Sequence, residues 1–207
     1  MLTIVDYGVG NLFSLSCSFN KIGVEAVITS DPKVIEGAEA IVLPGVGAFE
    51  DAVKKLYGCG LDVLIKNEVK KGKPLLGICL GMQLLFDKSF EFGEHSGLGL
   101  IKGEIRPLAS ISESNLKIPH IGWNTLSFGE KKNELFKYVK EGEHVYFVHS
   151  YCGTDCEESV IATTDYGADV TAAVASGRVY GCQFHPEKSG DTGLNILKAF
   201  AEIGGLL

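Results

Sequence analysis

Residues 73–83 read "KPLLGICLGMQ", and how this stretch folds decides how the rest of the chain is read. Pro74–Ile78 is a short apolar run of the length expected for a buried strand. The residues that follow, "LLFDK" (84–88), read as helix. Cys79 therefore sits where a strand turns into a helix, framed by Gly77 and Gly81. The spacing Gly77-x-Cys79-x-Gly81 is that of a nucleophile elbow with cysteine in place of serine. Such a turn strains the nucleophile's backbone and leaves no room for large neighbours, which accounts for the glycines. It also sets the sulfur at a helix N-terminus, where the dipole and free N–H groups favour a thiolate. A buried structural cysteine in a tight turn would show the same pattern, so the elbow alone does not establish chemistry.

Outward from the elbow, the first half of the chain alternates. "LTIVDY" (2–7) is a β-branched apolar run. Asn11 is placed to cap a helix with Leu12, Leu15, Phe19 and Ile22 on one face, and Gly23 ends it. "VEAVIT" (24–29) and "AEAIVLPG" (38–45) read as further strands. A helix over "AFEDAVKKL" (48–56) follows, then one from Leu61 to Lys71 with Leu61, Leu64, Ile65 and Val69 on a stripe, closed by Gly72. Apolar strands alternating with helices imply βαβ units and a mostly parallel sheet covered on both faces. Residues 100–170 differ. Shorter, more polar strands such as "HVYFVHSY" (144–151) and "SVIATTDYG" (159–167) suggest an antiparallel or mixed extension. The chain closes with a strand, "VYGCQF" (179–184), and a helix, "DTGLNILKAFAEIG" (191–204). With no repeat, low-complexity stretch or linker, residues 1–207 read as one α/β domain.

Composition narrows the function classes. A net charge of −7 with no basic stripe argues against nucleic acid as a partner. No apolar run reaches the roughly 20 residues of a membrane helix, and the N-terminus has no basic region ahead of its apolar run, so a cytoplasmic protein is expected. The six cysteines are scattered through a chain too large to need staples, and read as reduced thiols. Cys152 and Cys156 are close in sequence, yet no histidine or second cysteine pair stands at zinc spacing, so no metal site is expected.

A cysteine nucleophile needs a base and a group to orient that base. "CQFHPEKS" (182–189) offers both. His185 ends an apolar strand, and in an extended segment Glu187, two residues on, projects to the same side and would fix the ring's tautomer. Each alone reads equally as a satisfied histidine and a solvated acid. Together with Cys79 they supply three complementary roles at the C-terminal ends of strands, where open α/β sheets place their sites. "LPGVGAF" (43–49) ends a strand in a glycine-rich turn whose N–H groups would serve an oxyanion, as would the N–H of Leu80. His120 and His149 read as structural.

The motifs "PGVGAF", "GICLGMQ" and "QFHPEKS" resemble those of the class I, triad-type glutamine amidotransferases. "DYGVGN" (6–11), "PHIGWN" (119–124) and "YFVHSY" (146–151) narrow the resemblance to the glutaminase subunits of imidazole glycerol phosphate synthase, over nearly the whole chain. The resemblance implies a flavodoxin-like α/β fold, no cofactor, and hydrolysis of L-glutamine to glutamate and ammonia. It implies a heterodimer in which the ammonia is channelled to a (β/α)₈ cyclase subunit of histidine biosynthesis. Carried over by position, Cys79 is the nucleophile, His185 the base and acid, and Glu187 its orienter. Val46, Gly47 and Leu80 fall at the oxyanion hole, and the resemblance implies a peptide after Val46 that flips when the partner is loaded. Gln83, Glu91, Ser150 and Tyr151 fall where the substrate glutamine is held, Glu91 towards its α-ammonium. Asn11, Trp123, Tyr146 and Lys188 fall at the cyclase interface. Cys152 and Cys156 depart from the family pattern and are expected in a tolerant surface loop.

Three other readings stand beside this one. A paralogue could supply ammonia to another synthase, such as one amidinating a surface sugar. A catalytically silent binding subunit would have no need of Cys79, His185 and Glu187 together. A cysteine hydrolase of the protease type, working alone, would not need the interface motifs.

Overall fold

In the computed structural model of the chain, residues 1–112, 116–129 and 132–207 are described. The mixed region expected over 100–170 includes residues 113–115 and 130–131, which lie outside that description. The first half builds a parallel framework from β1 (Leu2–Val5), α1 (Leu12–Lys21), β2 (Ala26–Thr29), α2 (Pro32–Gly37), β3 (Ala40–Gly45), α3 (Phe49–Gly58), α4 (Leu61–Lys70), β4 (Leu75–Cys79) and α5 (Leu80–Leu84). Then come β5 (Phe86–Ser89), β6 (His95–Ser96), β7 (Ile101–Pro107), β8 (His120–Thr125), β9 (His144–His149), β10 (Tyr151–Thr154), β11 (Val160–Asp165), β12 (Asp169–Ser176), β13 (Val179–Cys182) and α6 (Gly190–Ile203).

The central sheet runs β11-β12-β13-β4-β3-β1-β2. From β13 to β2 its pairs are parallel, while β11–β12 and β12–β13 are antiparallel. Strand side chains alternate between the two faces, and the core follows that period. Leu2, Ile4, Val42, Leu76 and Ile78 meet Leu15, Phe19, Ile196 and Phe200 of α1 and α6. Val5, Ile41, Leu43 and Leu75 meet Phe49, Leu56, Leu61 and Ile65 of α3 and α4. β1, β3 and β4 are buried throughout; β2, at the sheet's edge, is half-buried, with Ile28 exposed. A four-stranded sheet β10-β7-β5-β6 and the hairpin β8–β9 lie outside this sheet.

Several local expectations change. "LLFDK" does not continue as helix: α5 ends at Leu84 and Phe86–Ser89 is strand. The carbonyls of Leu84, Leu85 and Phe86 are taken by the N–H groups of residues 98–101, and β5 pairs with β7. The α2 helix, unforeseen from periodicity, carries a local signal: the Asp31 side chain accepts from the Lys33 N–H at 2.9 Å, and Pro32 occupies the first turn. Asn11 stands at the N-cap of α1 but makes no side-chain capping bond. "HVYFVHSY" is two strands, because β9 pairs with β8 and β10 with β7, and the chain changes partners at Ser150. Cys152 and Cys156 are buried at 0% and 5% exposure, not in a surface loop. Cys152 lies in β10, and the Cys156 thiol contacts the Thr171 hydroxyl.

Candidate active site

Strand register assembles the site. Parallel pairing sets Gly45 of β3 beside Cys79 of β4. The β13–β4 pairing, Val179 with Leu75 through Cys182 with Ile78, carries Gln183 to the same level on the other side. At this edge Cys79 adopts φ 55°, ψ −113°, a left-side conformation for a non-glycine residue that costs on the order of 1–3 kcal/mol. The flanking glycines make the turn possible. A Cβ at Gly77 would lie 2.6 Å from the Gly81 carbonyl oxygen, and one at Gly81 would run into the Leu43 carbonyl oxygen. The strain therefore rests on close backbone packing that no larger side chain could replace.

The sulfur opens into a cavity of about 430 Å³ lined by Val46, Gly47, Leu80, Gln83, Glu91, Ser150, Tyr151 and His185, and also by Phe92, Pro119, Val148 and His149. His185 Nδ1 lies 2.8 Å from Glu187 Oε1. Residues 186–188 form a 3-10 turn instead of an extended segment, so the turn and not strand alternation brings the two side chains together. The backbone is clamped here: the His185 N–H donates to Tyr146 O at 2.9 Å, and the Ser189 hydroxyl donates to His185 O at 2.6 Å. Burial alone would push the His185 pKa down; hydrogen bonds and charge from Cys79 and Glu187 reverse this and lift it to about 9. With Nδ1 on Glu187, Nε2 is left for the cysteine thiol. The Glu187 side chain is almost wholly buried, and among the described residues its second oxygen has no hydrogen-bond partner. The carboxylate is thus compensated chiefly through the ring.

The glycine-rich turn is held at both ends. The buried Tyr7 hydroxyl donates to Pro44 O at 2.6 Å, and the Phe49 N–H, at the start of α3, donates to Glu91 Oε2 at 2.5 Å. Between them Gly47 has φ 96°, and Val46 is exposed. Burial raises the Glu91 pKa, the Phe49 bond opposing it.

One backbone carbonyl orients much of the opposite wall. Tyr151 O, which can only accept, receives His149 Nδ1 at 2.9 Å and Gln83 Nε2 at 3.2 Å. His149 is then the Nδ1–H tautomer, and its Nε2 accepts from His120 Nδ1 at 3.0 Å. Burial pushes both histidines down to about 4. They are neutral at physiological pH and structural, as expected, although His149 lines the cavity.

Three of the four residues assigned to an interface meet on the surface. Trp123, 56% exposed, packs edge-on against Tyr146 with ring centroids 6.1 Å apart, and Lys188 Nζ lies 5.8 Å from the Tyr146 ring centre. Asn11 begins α1, which packs against the 186–188 turn. The residues that sequence reading missed are Gln183, Tyr7 and Phe92. Gln183 and Tyr7 stood inside motifs already singled out, whereas Phe92 carried no signal. Among the described residues no group of three or more His, Cys, Asp or Glu is placed to hold a metal ion. Nor is any helix among them long and apolar enough to cross a membrane.

The model of the family described as glutamine amidotransferase class-I matches residues 3–203. The chain is 49% identical over 204 residues to the imidazole glycerol phosphate synthase subunit HisH of Caldanaerobacter subterraneus, covering 98% of each. It is 49% identical over 199 residues to that of Aquifex aeolicus, covering 95% of this chain and 94% of the other. Among solved structures, a glutamine amidotransferase superposes with TM-score 0.77 at 20% identity over 98% of each chain. PurLQS from Thermotoga maritima gives 0.72 at 19% over 98% of this chain and 97% of that one; at such identities these speak for the fold alone. The chain belongs to the class I glutamine amidotransferases and, within them, to the family of imidazole glycerol phosphate synthase HisH subunits.

Proposed function

We propose that the chain is the glutaminase subunit of an imidazole glycerol phosphate synthase, hydrolysing L-glutamine and delivering the ammonia to a cyclase subunit in histidine biosynthesis. The observation that carries this reading is His185 bridging the Cys79 thiol and the Glu187 carboxylate in one cavity. His185, charged at neutral pH, holds the proton that Cys79 has given up, and Cys79 Sγ attacks the carboxamide carbon of glutamine as a thiolate. The resulting oxyanion is received by the Leu80 N–H and the Val46–Gly47 turn. The imidazolium, whose charge Glu187 balances, gives its proton to the departing ammonia. Water activated by the returned base then hydrolyses the thioester, releasing glutamate and restoring the thiol. Gln83, Glu91, Ser150 and Tyr151 hold the substrate, with Glu91 meeting its ammonium.

Ammonia released at neutral pH would protonate and diffuse away, so the acceptor reaction belongs next to the cavity. The Trp123–Tyr146–Lys188 surface cluster, with Trp123 exposed and Tyr146 half-buried, suits an interface whose core is aromatic. We place the protein in the cytoplasm as a heterodimer with the cyclase.

The test is glutamate release by the purified chain, alone and with a cyclase subunit loaded with its ribonucleotide. Strong stimulation by the loaded partner, abolished by Cys79→Ala without loss of fold, is expected. An intact chain that no cyclase stimulates would point to a different synthase as its partner. Activity surviving in Cys79→Ala would overturn the mechanism.

A further inference from the structure

The site contains a buried polar side chain that the mechanism above does not use. Gln183 is 0% exposed. Strand register carries it level with Cys79, and its Nε2 lies 3.9 Å from the Cys79 sulfur, while its Oε1 accepts from Gln83 Nε2 at 3.0 Å. A fully buried carboxamide is costly unless its groups are paired, and here both groups are spent on the site.

The direction of these bonds follows from the backbone. Tyr151 O can only accept, so Gln83 must present its NH₂ there. The same NH₂ faces Gln183, which must therefore present its oxygen to Gln83 and its own NH₂ to the sulfur. Gln83 is left with its carbonyl oxygen free to act as an acceptor for substrate. Cys79 Sγ also lies 3.9 Å from Val148 O, which the thiol can reach as a donor. Once the proton passes to His185, the sulfur can only accept. Of these two neighbours, Gln183 alone offers it a hydrogen, whereas the Val148 carbonyl opposes the charge.

We infer that Gln183 is a further catalytic residue, donating its Nε2–H to the Cys79 thiolate while its Oε1 fixes the orientation of Gln83. This rests on Cys79 being the nucleophile of the proposed glutaminase. The donor holds the charged sulfur in the interval between its loss of the proton and its attack on the substrate. It also joins the nucleophile to a substrate-binding side chain through one rigid amide, so that the two keep their spacing.

The experiment follows alkylation of Cys79 by iodoacetamide across pH, read at that residue by peptide mass spectrometry so that the other thiols do not contribute. It requires no glutaminase activity, and so separates failure of this inference from failure of the functional reading. In Gln183→Met the pH for half-maximal alkylation should rise by about one unit, and kcat should fall by about tenfold or more, with a smaller change in KM. In Gln83→Met, which removes the NH₂ that Gln183 Oε1 accepts but keeps the Nε2–H beside the sulfur, the alkylation midpoint should rise by less than in Gln183→Met while KM rises. A second measurement avoids dependence on how well a core variant folds. In the ¹⁵N-labelled parent chain, the Gln183 carboxamide signals should move with the ionisation of Cys79 and remain still in Cys79→Ser. A parental midpoint in folded Gln183→Met, an equal shift in Gln83→Met, or carboxamide signals indifferent to Cys79 would each overturn the inference.

Discussion

His185 and His149 line the same cavity and are both nearly inaccessible, at 2% and 5% exposure, yet their protons are driven in opposite directions. Burial lowers both. Around His149 the principal partners are a neutral ring and a carbonyl, and the nearby charge of His185 opposes protonation further, so burial prevails and the ring stays neutral down to about 4. Around His185, Cys79 and Glu187 overturn burial and keep the ring charged up to about 9. Burial sets the default, and the charge of the nearest partner decides whether a histidine serves as architecture or as a proton carrier.

The sharpest way to break this contrast is to remove the charge and keep the shape. Glu187→Gln should lower kcat for glutamate release by about 10²–10⁴-fold, by analogy with the loss of an orienting carboxylate in other triads. It should also move the alkaline limb of the rate profile from about 9 towards neutrality. A pH–rate profile with an unmoved alkaline limb would show that Glu187 does not set the charge of His185.

A smaller effect, of opposite sign at the two sites, appears in stability. An unfolded histidine takes up its proton near 6.5, whereas folded His120 and His149 do so only near 4. Between those values the unfolded chain binds more protons, so stability falls as pH drops from about 6.5 to about 4. His185 contributes stability that is fully present below about 6.5 and is lost as pH rises to about 9. Urea midpoints across pH should trace both slopes. His149→Gln should flatten the acid one and His185→Gln the alkaline one.

The smallest effect belongs to the outer end of the neutral chain. Asn124 Nδ2 is 3.4 Å from His120 Nε2 and 2.7 Å from Asp165 O. Asn124→Ala should destabilise by about 1 kcal/mol in denaturant unfolding, leaving the acid slope from His149 in place. A larger loss would mean that the histidine pair depends on Asn124 more than its length implies.

Much of the fold was legible because its signals are local. Leu15 and Phe19 lie four apart on α1 and both reach the core, Gly77 and Gly81 frame the elbow, and His185 and Glu187 are two residues apart. What escaped reading depends on distant neighbours. "LLFDK" (84–88) reads as helix, but its second half belongs to a strand claimed by β7. Ser150 breaks one apparent strand because the two sides pair with different partners. Cys152 is buried by the chain around it, although its own segment suggested a loop. The meeting of His185 with Glu187 was anticipated, but through strand geometry, whereas a 3-10 turn produces it.

From residue order alone come the alternation of strands and helices, the elbow at Cys79 and the complementary chemistry of a thiol, an imidazole and a carboxylate, because periodicity, glycine and side-chain type are properties of short segments. The folded structure decides which distant residues share a level. Pairing of β3, β4 and β13 puts Gly45, Cys79 and Gln183 in one row, and a register shifted by one residue would face Gln183 the other way. Register is set by packing across the whole sheet, and no segment of the chain carries that information by itself.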